Sequence, residues 1–186
     1  MIDLKPACHT MSDLLEGISG FQLCNPTPCV EYTVRGLVDH IAETARGATG
    51  LAGGPADLSS TDDLRAVAAQ VRALGTAWDN PAAWIGTTTA GGLELSNELW
   101  GRIACTEMVV HGWDLAAALG RPFRLPEPIL RACLDHVTAF VPSAPVPALW
   151  GSPVQVPADA SLIDRIVAIT GRNPHWVPAP VATRTR

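Results

Sequence analysis

The sequence predicts an all-α chain, an antiparallel four-helix bundle with a short β-hairpin before its fourth helix and extra helices towards the C-terminus. Three observations carry this. Four stretches keep apolar residues at helical spacing, and capping or breaking residues bound each of them. The fourth, Asn97 to Leu119, is long and free of proline. Only one stretch, Trp84 to Leu95, has the threonines and the Gly91-Gly92 pair of a hairpin. With 186 residues, 47% hydrophobic and 17% charged, a full core is available and one domain is expected. That domain should span residues 1–177, with residues 178–186 a disordered tail.

Asp3 is placed to cap a first helix running to about Ile18, with Leu4, Ala7, Met11, Leu14 and Leu15 on its apolar stripe. His9 falls on the far side and should be exposed. Thr33 is a candidate N-cap for a second helix, striped by Leu37, Val38, Ile41 and Ala45. His40 sits at the edge of that stripe, where a lone histidine reads as a boundary residue. Gly47 to Ser60 reads as a flexible loop, either a lid or slack. Ser60 and Asp63 stand in capping-box order ahead of a third helix, which Asp79-Asn-Pro81 ends. After Arg121-Pro122, a helix from about Glu127 to Phe140 should bury Ile129, Leu130, Cys133, Val137 and Phe140, with His136 structural or exposed. Ser161 and Asp164 fit the start of a last helix, about Leu162 to Thr170, and Gly171 its stop.

Several function classes are disfavoured by composition. A net charge of −5 without a basic stripe argues against nucleic acid. No run reaches the length of a membrane span, and the N-terminus lacks a signal-peptide pattern, so the expected compartment is the cytoplasm. The five cysteines are odd in number and form no CxxC pair, which favours free thiols. No GxSxG or HExxH motif occurs.

The chemistry points to the fourth helix. At about 100° per residue, Glu98, Arg102 and Thr106 gather on a polar side, and Cys105 falls there too. Trp100, Ile103, Ala104, Glu107, Val110, His111, Leu115 and Ala118 gather opposite, facing the core. A carboxylate there needs a partner. Glu107 and His111, four residues apart, stack one turn apart. They can form an ion pair, or offer an oxygen and a nitrogen to one metal ion. In a bundle, His40 can join them, making three ligands with an open position, as a catalytic metal requires. Zn²⁺ is the first expectation, with Mn²⁺, Fe²⁺ and Ni²⁺ compatible by ligand type. Asp114 reads equally as an acceptor that orients His111 or as a surface carboxylate.

Pro26-Thr-Pro-Cys29, Thr33-Val34, Leu37-Val-Asp-His40 and above all Glu107-Met-Val-Val-His-Gly-Trp-Asp-Leu115 resemble actinobacterial metal-binding proteins related to the N-terminal domain of mycothiol-dependent maleylpyruvate isomerase, within the DinB/YfiT-like superfamily. Pro153 to Asp159 and Gly171-Arg-Asn-Pro-His-Trp176 are similar to the same branch. The resemblance implies a DinB/YfiT-like bundle with His40, Glu107 and His111 as the metal ligands. It also implies mycothiol as co-substrate, a metal-stabilised thiolate, and isomerase or S-transferase chemistry on a small electrophile. Trp100 and Trp113 are then candidates for contact with the thiol. The chain lacks room for the isomerase's separate C-terminal domain, which puts maleylpyruvate itself in doubt. A non-catalytic metal- or ligand-binding accessory protein and a metal-dependent hydrolase are the alternatives. A homodimer is compatible with either.

Overall fold

The structure, a computed structural model, describes residues 1–55, 62–144 and 150–178. It is predominantly helical. The helices are α1 (Lys5–Glu16), α2 (Val34–Leu51), α3 (Leu64–Ala77), α4 (Asn97–Ala118), α5 (Glu127–Phe140) and α6 (Leu162–Ile169). Strands β1 (Thr87–Ala90) and β2 (Leu93–Ser96) form one two-stranded antiparallel sheet. α1 packs on α3 and α4, and α2 packs on the same two helices. Their apolar stripes meet in a single core built around Met11, Leu15, Leu37, Ile41, Leu74 and Met108. Each such buried side chain contributes about 1.5–3 kcal/mol. Among the described residues, no helix is long and apolar enough to cross a membrane.

Local chemistry sets the boundaries. Thr33 caps α2, accepting from the Gly36 N–H, and Ser96 caps α4 from Leu99. Ser161 caps α6, and Gly171 at φ 84° follows its end. The hairpin turns at Gly91 and Gly92, whose φ angles of 57° and 79° suit the tight turn that matches strand twist. This fixes Thr88 opposite Leu95 and Ala90 opposite Leu93. The indole N–H of Trp100 donates to the Thr88 carbonyl at 2.9 Å and ties the hairpin to α4.

Four expectations change. α1 ends at Glu16, and Asp3 accepts the Lys5 N–H just before its first turn, with Leu4 at the cap position. α2 runs on to Leu51, so the expected loop does not begin at Gly47. Ala48 and Thr49 are buried there, and the Trp78 indole N–H donates to the Ala48 carbonyl at 3.0 Å. This packing outweighs the roughly 1 kcal/mol by which each helical glycine disfavours the helix. Asp63 caps α3 directly, accepting from Arg65, while Ser60 lies outside the described residues. The same holds for residues 56–60 of the expected loop and 179–186 of the expected tail.

The fourth change concerns α4. Glu98 and Arg102 lie on the polar side as expected, and there they form an ion pair. Thr106 and Cys105, however, are buried. The chain folds back after Gly120 and lays α5 over this side, bringing Cys133 Sγ to 3.7 Å from Thr106 Oγ1. The same packing buries His136 of α5, whose ring stacks on Phe140. His9 is exposed.

Candidate metal centre

Two helices supply the centre. Thr33 starts α2 so that His40 faces α4 at the edge of the core, and the one-turn spacing on α4 brings Glu107 and His111 to meet it. Glu107 Oε2 lies 3.2 Å from His40 Nε2 and 3.3 Å from His111 Nε2. The three donor atoms all lie within 4.8 Å of one another. Two imidazole nitrogens and a carboxylate oxygen, converging from a buried wall, form a donor set that suits a divalent transition-metal ion. Tyr32, which precedes the α2 cap, stacks on His40 with ring centroids 5.1 Å apart and meets His111 edge-on.

Behind these three side chains stands a second layer. Asp114 is fully buried, not a surface carboxylate. Its Oδ2 lies 3.0 Å from His111 Nδ1, leaving Nε2 directed at Glu107. Arg172, from the segment that follows α6, grips both oxygens of Asp114, with Nε at 3.3 Å from Oδ1 and Nη2 at 3.0 Å from Oδ2. Its Nη1 donates to the Thr170 carbonyl at 2.8 Å. The left-handed turn at Gly171 aims it there. Neither Arg172 nor Tyr32 stands out in the sequence. The visible signals are an arginine directly after a helix-stop glycine and an aromatic directly before a helix cap.

The charges are strongly coupled. Burial opposes ionisation of Glu107, but hydrogen bonds with His111 and His40 hold its carboxyl well below the usual range. Burial also works against a charged His111, yet Asp114 and Glu107 raise its pKa to about 9. Arg172 is desolvated, and Asp114 more than offsets this. Cys29 offers a sulfur near His111 and Asp114, but burial pushes its thiol up, with Arg172 pulling the other way.

His40, Glu107 and His111 form part of the wall of a cavity of about 490 Å³. Leu93 and Leu95 of the hairpin, Trp100 and Ile103 of α4, Phe140 of α5, and Trp150 supply its apolar side. Trp100 therefore reaches the cavity. Trp113 is buried and is not among the lining residues.

Two relatives, uncharacterised proteins from the CDC 1551 and H37Rv strains of Mycobacterium tuberculosis, are each 31% identical to the chain over 111 residues. The match covers 58% of this chain and 60% of each relative, so the chain spans less than two thirds of their length. No solved structure matches it. Residues 4–116, which include His40, Glu107, His111 and Asp114, match the family described as the mycothiol maleylpyruvate isomerase N-terminal domain, and the chain belongs to that family.

Proposed function

We propose that the chain is a divalent-metal enzyme, with zinc the favoured ion, that activates a low-molecular-weight thiol, mycothiol, for isomerase or S-transferase chemistry on a small electrophile. The observation that carries this reading is the convergence of His40, Glu107 and His111 on the wall of an apolar cavity. The ring of α1 to α4 is read as the DinB-like four-helix bundle. A divalent ion held by these three residues would supply the positive charge that keeps a thiol as its reactive thiolate.

The chain's own residues divide the remaining work. Asp114 accepts the Nδ1–H of His111 and so keeps Nε2 as the ligand atom. Arg172 holds Asp114 in place. Tyr32 packs against the His40 ring and limits its rotation. The hairpin and Trp100 line the apolar side of the cavity, and a less polar wall strengthens the charge interactions beside it.

The test is metal content of the purified protein by mass spectrometry, followed by thiol-dependent turnover of electrophiles. One equivalent of metal per chain, lost in Glu107→Ala, together with turnover that requires the thiol, is the expected result. A metal-free protein, even after reconstitution, would overturn it. One observation favours a second reading. Glu107, His111, Asp114 and Arg172 form a continuous set of opposite charges, which can serve as a structural ion-pair network in a non-catalytic protein. Metal content separates the two.

A further inference from the structure

We infer that the electrophile taken by this cavity is uncharged and carries an apolar, aryl-sized body, and that a dicarboxylate is excluded. The inference rests on the thiol-transfer reading above and concerns what approaches the site, not what it holds.

The walls carry the inference. Among the described residues lining the cavity, the only Lys or Arg is Arg172. Its side chain is 7% exposed, and its guanidinium is already bonded to both oxygens of Asp114 and to the Thr170 carbonyl. Its Nε–Nη2 fork is taken by Asp114, whose charge balances its own, and three of its five N–H donors are already committed. Two carboxylates, Glu31 and Glu107, also line the cavity. Glu107 already answers part of the charge of any divalent ion bound beside it. A second anionic group, brought in alongside a thiolate, would be desolvated against acidic walls without a partner.

The rest of the lining suits an apolar body. Tyr32, Trp100, Phe140 and Trp150 present ring surfaces, and Leu93, Leu95 and Ile103 fill between them. Aromatic faces favour an aryl group by stacking or edge contacts. A volume of about 490 Å³ lies in the usual range for small-molecule sites.

The test uses two inert ligands, so that no cysteine of the chain can form an adduct. Binding of 4-phenylbutan-2-one and of succinate to the purified protein is measured by titration calorimetry. The ketone should bind at least tenfold more tightly. Leu95 belongs to the hairpin and faces the cavity without being fully buried. Leu95→Arg, its folding checked by circular dichroism, should raise succinate affinity and shrink the preference at least tenfold. Succinate binding as well as the ketone, binding of neither, or a preference unmoved by Leu95→Arg would each overturn the inference. The outcome is separable from that of the proposed function. Metal-dependent thiol turnover with succinate preferred sinks only this inference. A metal-free protein that still prefers the ketone sinks only the thiol chemistry.

Discussion

His111 and His136 are buried to the same degree, each 6% exposed; His111 belongs to α4 and meets α2, and His136 belongs to α5, which covers the other side of α4. His111 is driven up to about 9, and His136, stacked on Phe140, is driven down to about 4. Burial disfavours the charge in both. The difference lies in their neighbours. Asp114 and Glu107 bond the His111 ring, while the charge near His136 that shifts it is the positive one of Arg102. On one side of α4 the fold surrounds a histidine with anions, and on the other it packs one as a neutral aromatic. The side with the anions is the side that can hold a cation.

The largest break in this contrast comes from removing the shared carboxylate. Glu107→Ala should reduce bound metal at least tenfold, as read by elemental mass spectrometry, whereas His136→Ala should leave it unchanged. Next in size, Asp114→Ala deprives both Arg172 and His111 of their acceptor. It should destabilise the protein by about 3–5 kcal/mol in urea unfolding. Arg172→Met leaves Asp114 its bond to His111 and should lose about 2 kcal/mol. The pH dependence of stability sharpens the other half of the comparison. Because the folded pKa of His136 is about 4 and its unfolded pKa is 6.5, the unfolded chain takes up the proton first. Stability contributed by this residue is complete above pH 6.5 and declines as pH falls towards 4. His136→Leu should remove on the order of 1–2 kcal/mol of that acid sensitivity, measured by unfolding at pH 7 and pH 4.5. The smallest effect belongs to Arg102→Gln, which should move the His136 pKa upward by NMR titration without affecting metal content.

The same contrast separates what the sequence makes legible from what it hides. Glu107 and His111 announce themselves because two polar residues one turn apart interrupt an apolar helix face, a violation that demands a partner. His40 is ambiguous at the edge of its stripe, and its 29% side-chain exposure explains why. Asp114 reads two ways because its partner Arg172 lies 58 residues further along, past two more helices. Periodicity cannot see such a pair. Thr106 and Cys105 mislead for one reason. A helical wheel assigns the polar side to solvent, but α5 covers it. Trp113 illustrates a further limit, since an aromatic on a buried helix can serve packing without reaching the cavity. Capping residues and the Gly91-Gly92 turn, by contrast, act within a few residues of themselves, and Thr33, Ser161 and the hairpin follow from sequence directly.

The hairpin has a consequence for how such a protein diversifies. Its base is anchored to α4 by the Trp100–Thr88 bond, two helical turns ahead of Glu107, while its tip is a bare glycine pair. Residues added to the tip in matched pairs preserve which side chains face inward. A longer or shorter hairpin therefore raises or lowers the rim of the cavity while His40, Glu107 and His111 stay still. The shape of the cavity mouth can drift through this one ornament, under little constraint from the His40, Glu107 and His111 cluster.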